Sequence, residues 1–256
     1  MEKFKRINIL GFDIDRITYN ELLTEIENFI KEKKPHTIVL LNPYLILEAR
    51  RHPDYSEYIK KADIVTADGF GLLLAAKFIG ESFPERVTGT DIMPLIGELS
   101  QKKKYKIFLI GGEPGISEKA KQKYEEKFPG INIVGTYHGF FSKEEEANIV
   151  NEIKIKKPDI LVVCMGAYTQ EMFIKKYLYE LNVPVCFGNG AALDFMSEKF
   201  KRAPKWMQNL GLEWLFRLIQ EPGRLWKRYL IGNTMFIFLI FEELIKRFFE
   251  KKRNKG

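Results

Sequence analysis

Residues 158–166 read PDILVVCMG, an apolar and largely β-branched run that ends in glycine. Five other runs follow the same pattern: TIVLLN (37–42), ADIVTAD (62–68), YKIFLIGG (105–112), INIVG (131–135) and VPVCFGNG (183–190). A strand that is apolar along its whole length is typical of a parallel sheet covered on both faces. These runs therefore predict six buried strands.

Helical patterns separate the runs. Thr18 and Glu21 have the spacing of a capping box, and Ser142 and Glu145 repeat it. The alternation predicts an α/β fold with a mostly parallel, Rossmann-like sheet and helices on both faces. Ligands of such sheets bind beyond the carboxyl ends of the strands, where helix N-termini present backbone N–H groups to anions.

The alternation stops near Ser197. We predict an α/β core over residues 1–196 and a helical, aromatic and basic appendage over residues 197–256. The appendage contains 14 Lys and Arg against 6 Asp and Glu, whereas the rest of the chain contains 27 and 28. This asymmetry indicates a polyanionic partner, namely nucleic acid, a phosphorylated ligand or an anionic bilayer. A merely solvated tail is the alternative.

Within the appendage, residues 229–241 form a mostly apolar run of about 13 residues, shorter than the roughly 20 that span a bilayer. Basic residues on both sides suit a helix that lies in the headgroup region. A core helix or an oligomer interface is the alternative.

Composition sets further bounds. The chain has 256 residues, of which 45% are hydrophobic and 29% charged, and this balance excludes a disordered chain. Its two cysteines, Cys164 and Cys186, lie in apolar runs and make neither a disulfide scaffold nor a four-ligand zinc site. The first residues lack the pattern of a secretory signal, so we expect a cytoplasmic protein.

Asp68 follows a predicted strand and stands among glycines in ADGFG. A carboxylate there is suited to general base catalysis, and capping of a helix over 70–80 is the alternative. The glycine loop at Gly111 and Gly112 would suit a phosphate or nucleoside, or it makes a tight turn. Gln170, Glu171 and Asp194 are expected at the same edge of the sheet, where capping and turn formation are the alternatives.

The appendage also carries the basic residues Arg202, Arg217, Arg224, Lys227 and Arg228. Pro222 must interrupt any helix that runs through them. Guanidinium groups bind phosphate in a bidentate manner, so an arginine face beside an apolar face suits a lipid phosphate better than a DNA groove. A solvated charged face is the alternative.

We predict neither a metal nor a cofactor. The three histidines, His36, His52 and His138, are isolated, and Asp13 and Asp15 lie away from the other motifs. The histidines do not share the spacing of a metal site, and the Asp13 and Asp15 pair is disfavoured as one because it precedes the first helix, away from the other motifs.

Taken together and in order, the motifs resemble the WecG/TagA/CpsF glycosyltransferase family. The resembling segments include NPY, KKADIVTADGFGLLLAAKFIG, ERVTGTDIMPLI, IFLIGGEPG, INIVGTYHGFF, PDILVVCMGAYTQE, GNGAALDF and RAPKWMQNLGLEWLFRLIQEPGRLWKRY. The resemblance implies an inverting transferase that moves a sugar, typically N-acetylmannosamine, from its UDP derivative. The acceptor would be a polyprenyl-diphosphate-linked sugar at the cytoplasmic membrane face. The product would serve teichoic acid or other cell-surface polysaccharide assembly.

By the same resemblance Asp68 is the catalytic base, Gln170 and Asp194 contact the donor, and the C-terminal arginines close over the diphosphates. The predicted substrate-binding residues are Asn42, Gly69, Arg86, Thr88, Gly89, Asp91, Gly111, Gly112, Gln170, Glu171, Asp194, Arg202, Arg217 and Arg224. The family is regarded as metal-independent.

Four places depart from the family pattern. Leu40 replaces a threonine, Tyr44 an acidic residue and Tyr168 a proline, and Ser197 with Glu198 replaces the small-residue end of the D-F-x-x-G segment. The changes at Leu40 and Tyr44 leave the identities of both sugars open. A non-catalytic membrane scaffold and a nucleic-acid-binding protein are the alternative functions. The predicted partners are the donor, the lipid-linked acceptor and an anionic membrane surface but no nucleic acid, and a homo-oligomer is left open.

Overall fold

The structure, a computed structural model, describes residues 3–253, with side chains described up to Phe249. Its strands are β1 (Arg6–Ile9), β2 (Phe12–Asp15), β3 (His36–Leu41), β4 (Ile64–Ala67), β5 (Lys106–Gly111), β6 (Asn132–Tyr137), β7 (Ile160–Cys164) and β8 (Val185–Gly188). Its helices are α1 (Tyr19–Glu32), α2 (Pro43–Arg51), α3 (Pro53–Lys61), α4 (Phe70–Phe78), α5 (Gly89–Lys103), α6 (Ile116–Lys127), α7 (Lys143–Lys156), α8 (Thr169–Leu181), α9 (Ala192–Met196), α10 (Lys205–Asn209), α11 (Glu213–Gln220), α12 (Pro222–Trp226) and α13 (Gly232–Arg253). A π-helical turn, Lys227–Ile231, joins α12 to α13.

The main sheet has six parallel strands in the order β4-β3-β8-β7-β5-β6. The six predicted strands are therefore confirmed, and so is the α/β class. Two buried clusters cover the sheet. One contains Val39 and Phe108, and the other contains Ile38 and Leu109. Neighbouring residues of one strand thus point into opposite layers, which explains why each strand reads as a continuous apolar run.

Local signals place several helix ends correctly. Both predicted capping boxes form, at Thr18 and Ser142. Pro222 is the first residue of α12, because proline fits the first turn of a helix but not its interior. The alternative role of Asp68 as a helix cap is wrong. The N-cap of α4 is Gly69, whose φ is 102°, and no side chain caps this helix.

An antiparallel hairpin of β1 and β2 precedes the main sheet and was not predicted. Its alternate residues Ile7, Ile9, Phe12 and Ile14 are buried, whereas Asn8 and Asp13, which stand between them, are exposed. This period of two is the sequence signal of a strand with one buried face.

The last helix, α13, packs on the core through one face only. Phe236 and Ile240 are buried in the same cluster as Leu45 and Leu72. Ile237, Phe238 and Phe241 remain between 56% and 63% exposed. The apolar run 229–241 therefore begins in the π-helical turn and continues into a half-covered helix. Among the helices of residues 3–253, we find none with enough length and apolar character to cross a membrane.

Candidate active site

A cavity of about 710 Å³ lies beyond the carboxyl ends of β3 and β4 and is closed by α11, the π-helical turn and α13. We call it the Asp68 cavity. Its lining includes six residues that the sequence predicted, which are Asn42, Asp68, Gly69, Arg86, Thr88 and Arg217. The opposite end is apolar and is formed by side chains of α4 and α13. The cavity thus joins a polar end to an apolar end.

Asp68 directly follows β4, and its backbone N–H donates to the carbonyl of Leu41 at 2.7 Å. Its Oδ2 accepts a hydrogen bond from the N–H of Gly89 at 3.3 Å. Burial raises the pKa of Asp68 to about 7, and the charge of Glu213 acts in the same direction. The Gly89 N–H and the positive charges of Arg86 and Arg228 oppose this rise. A carboxylate with this pKa can accept a proton near neutral pH.

The start of α5 is held beside Asp68 by a network of hydrogen bonds. Thr88 caps the helix, because its Oγ1 accepts from the N–H of Asp91 at 3.2 Å. The hydroxyl of Tyr19 accepts from the N–H of Thr88 at 2.8 Å. Asn189 donates from Nδ2 to the carbonyl of Gly89 at 2.9 Å, and a Cβ at position 89 would collide with the Asn189 side chain. Gly89 is therefore needed for close packing, which fixes the N–H that faces Asp68.

Two of the predicted arginines pair with acidic residues beside the cavity. Arg202 donates to both carboxylate oxygens of Asp91, and its Nε lies 3.1 Å from Oε1 of Glu213. Arg86 lies 3.7 Å from the other oxygen of Glu213. Although burial opposes it, the Arg202 hydrogen bonds and charge lower the pKa of Asp91. Arg202 does not line the Asp68 cavity, so its contacts in the structure tie α5 to α11.

Arg217 and Arg224 share one carboxylate. Glu221 lies 3.1 Å from Arg217 and 2.7 Å from Arg224. The break at Pro222 lets the two arginines, which lie in different helices, face the same glutamate. Arg217 also packs over the ring of Phe195 at 5.0 Å and lines the cavity, whereas Arg224 is exposed. The residues predicted to bind diphosphate are thus already partly neutralised.

The other predicted residues lie along the same sheet edge but outside the lining of the Asp68 cavity. Gly111 ends β5 and Gly112 follows it, and Asp194 lies in α9, where burial raises its pKa. Gln170 and Glu171 are buried at the start of α8, against Gly188. The amide of Gln170 donates to Glu171 at 2.7 Å, and burial raises the pKa of Glu171 to about 7. Oε1 of Gln170 is buried without a hydrogen-bond partner among the described residues.

Sequence reasoning missed Tyr19, Asn189 and Glu213 as parts of this network. Asn189 stands in the glycine-rich GNGAAL segment, which could have signalled it. Tyr19 carries no local signal, because its partner Thr88 is 69 positions away, and Glu213 does not stand in a recognisable motif with Arg86 or Arg202. Within residues 3–249 no group of three or more His, Cys, Asp or Glu side chains is arranged to hold a metal ion.

The sequence model of the glycosyl transferase WecG/TagA/CpsF family matches residues 7–250. Similar proteins include the N-acetylglucosaminyldiphosphoundecaprenol N-acetyl-beta-D-mannosaminyltransferase of Bacillus spizizenii (strain W23), 30% identical over 88% of this chain and 86% of the relative. Enzymes with the same name from Bacillus subtilis (strain 168) and Staphylococcus aureus (strain MW2) are 29% and 28% identical. They are matched over 90% and 94% of this chain, and over 88% and 92% of their own lengths. The chain therefore belongs to the WecG/TagA/CpsF family of glycosyltransferases.

Proposed function

We propose that the chain transfers N-acetylmannosamine from a UDP-sugar to a polyprenyl-diphosphate-linked sugar, with inversion at the anomeric carbon. The names of the three relatives support both the transferred sugar and an N-acetylglucosaminyl diphosphate lipid as acceptor. Those names also specify a β product, which arises by inversion from an α-linked nucleotide sugar. The product would enter teichoic acid or another cell-surface polysaccharide.

The observation that carries the proposal is the position and pKa of Asp68. This carboxylate lies at a strand end, lines the Asp68 cavity and is held by the Gly89 N–H. In the proposed step the acceptor hydroxyl gives its proton to Asp68 while its oxygen attacks the anomeric carbon. The bond from that carbon to the UDP oxygen breaks, and UDP leaves with the electron pair. One displacement of this kind inverts the configuration.

The leaving diphosphate needs positive charge or N–H donors. Arg217 contributes a guanidinium within the cavity, close to the place where the bond to UDP would break. We propose that the donor lies along the sheet edge, with its diphosphate toward Arg217 and its more distant part toward Gln170, Asp194 and the loop at Gly111 and Gly112.

We also propose that the enzyme works at the cytoplasmic face of the membrane as a peripheral protein. The uncovered face of α13 supports this proposal, because Phe238, Ile245 and Phe248 are more than half exposed there. Basic residues near an anionic surface contribute about 1 kcal/mol each. On this view the appendage over residues 197–256 brings the active site to its lipid acceptor.

A direct test is to incubate the full chain with UDP-N-acetylmannosamine, UDP-N-acetylglucosamine or UDP-N-acetylgalactosamine and a short-chain prenyl-diphosphate-linked N-acetylglucosamine. We expect turnover with the first donor and a β linkage in the product by NMR. An α linkage would contradict inversion. Absence of turnover with every UDP-sugar, together with retained binding to anionic vesicles, would favour the scaffold alternative.

A second test separates membrane from nucleic-acid binding. We expect the chain to sediment with vesicles that contain anionic lipid. Its binding to duplex DNA or RNA should be no tighter than that of the same protein blocked with heparin. Salt-dependent binding to nucleic acid without vesicle binding would overturn the peripheral-membrane proposal.

A further inference from the structure

Arg228 differs from the other arginines that line the Asp68 cavity. Arg86 faces Glu213, and Arg217 faces Glu221. Arg228, in contrast, makes no hydrogen bond or ion pair with any residue in the described part of the chain, and its Nε is sealed from solvent. A partly buried cation that is not paired with a carboxylate is costly, so such a group is an expected place for an anionic ligand.

Aromatic rings hold this guanidinium in place. Its central carbon lies 4.5 Å from the ring centre of Tyr44 and 5.7 Å from that of Tyr229. Stacking on a ring face orients the planar fork without using its N–H donors, and Arg228 lines the cavity although its Nε is sealed from solvent. Burial lowers the pKa of Arg228, whereas the nearby Asp68 carboxylate raises it. Arg228 is therefore near the proposed base but does not neutralise it.

An apolar groove continues from Arg228 between α4 and α13. We define it by Leu74, Phe78, Phe236, Ile237 and Phe241. Phe78 and Phe241 are 65% and 60% exposed, so the groove is open to a ligand along one side. Large exposed apolar side chains that line one continuous groove indicate a binding surface. The cavity thus places a carboxylate, an unpaired guanidinium and an apolar groove together.

We propose that Arg228 and this groove form a subsite for a prenyl diphosphate, in which the guanidinium binds the diphosphate and the groove holds the first isoprene units. This inference rests on the proposed function, because it assigns the lipid-linked acceptor to a place. In that acceptor one sugar separates the attacking hydroxyl from the diphosphate, and the diphosphate separates the sugar from the hydrocarbon. Asp68 can accept the proton of the hydroxyl, Arg228 can bind the diphosphate, and the groove can hold the hydrocarbon. The donor diphosphate does not carry a hydrocarbon chain, so it would leave the groove unused.

The test measures binding to the full chain by calorimetry, with farnesyl diphosphate, farnesol and UDP as probes. We expect Arg228→Gln to lower the affinity for farnesyl diphosphate by about 10- to 100-fold, the range for charge-assisted hydrogen bonds. The affinity for UDP should not change. Arg228→Lys should recover part of the loss, because it keeps the charge but not the fork. Arg50→Gln removes an exposed arginine from α2 and is the matched control. A loss of UDP affinity equal to or larger than that of farnesyl diphosphate would assign Arg228 to the donor and overturn the proposal.

The groove is tested with geranyl, farnesyl and geranylgeranyl diphosphate. We expect affinity to rise with chain length, and Ile237→Glu should abolish that rise because it places a charge in the groove. Ile155→Glu makes the same change at an exposed position of α7 and should leave the rise intact. Equal affinity of the wild-type chain for all three ligands would overturn the groove assignment.

These binding measurements do not depend on sugar transfer, so the transferase function and the prenyl diphosphate subsite can each be refuted without the other. Arg228-dependent binding of farnesyl diphosphate by a chain that transfers no UDP-sugar would refute the proposed function and keep the subsite. Sugar transfer with an acceptor KM that Arg228→Gln leaves unchanged would refute the subsite alone.

Discussion

Replacing Asp68 by asparagine should make the protein more stable at alkaline pH while it destroys activity. The carboxyl pKa is about 7 in the folded chain and 3.8 in the reference state. Between these values the folded state binds the additional proton, so the Asp68 contribution to stability falls as the pH rises from about 4 to about 7. At 1.36 kcal/mol per unit the complete loss is about 4 kcal/mol.

The amide keeps the shape of the side chain and an oxygen that can accept from Gly89, but it does not titrate in this range. The free energy of unfolding of Asp68→Asn, relative to the wild type, should therefore increase by about 2 kcal/mol between pH 5.5 and pH 8.0. Urea unfolding followed by circular dichroism measures this difference. Asp13→Asn, which removes an exposed carboxylate from the β1–β2 hairpin, is the control.

Turnover of the same variant should fall by about 10²- to 10⁴-fold, the range for loss of a general base, with UDP affinity nearly unchanged. The reasoning fails if the relative stability of Asp68→Asn does not change with pH, because the carboxylate would then titrate as it does in the unfolded chain. Near-wild-type turnover would remove Asp68 from the mechanism.

Three other predictions follow from the same site. The logarithm of kcat/KM should rise with pH up to about 7 and then level off, because only the ionised Asp68 accepts a proton; a flat profile from pH 5.5 to 8 would contradict this. Turnover should survive EDTA, since the sequence predicts a metal-independent transferase, and rescue of lost activity by magnesium would contradict it. Arg202→Met should lower the free energy of unfolding by about 1 to 3 kcal/mol, because it removes the arginine that pairs with Asp91 and the nearer of the two arginines that face Glu213; an unchanged urea midpoint would be the contrary result.

The sequence predicted the six strands of the sheet because five of them are buried along almost their whole length and therefore have a continuous apolar signal. The edge strand β6 is only half buried, and its signal comes from Ile133 and Val134. It did not predict the strand order, since local patterns identify strands but not their neighbours. This order matters for the site. β5, which ends at Gly111, lies four strand positions from β4, which ends before Asp68, or about 19 Å at the usual spacing. For this reason Gly111 and Gly112 lie on the same sheet edge as the Asp68 cavity but outside it.

The arginines show a second limit of sequence reasoning. Guanidinium chemistry marked Arg202 and Arg217 as residues suited to phosphate, and that chemistry is the same for a phosphate and a carboxylate. Arg202 meets Asp91, 111 positions away in the chain, and no local pattern indicates that pairing. Arg228 was one of several basic residues in the sequence, and only its surroundings distinguish it.

The Asp68 cavity is assembled from the two ends of the chain, and this has a consequence for biosynthesis. Asp68 and Asn42 are made early, whereas Arg228 and Phe236 belong to the last thirty residues. At about 5 to 20 residues per second, a ribosome needs roughly 8 to 32 seconds to travel from codon 68 to codon 228. During that interval the nascent chain carries the carboxylate but neither the guanidinium nor the wall of the groove. A ribosome that stops early therefore releases a polypeptide in which the pocket is still open on one side.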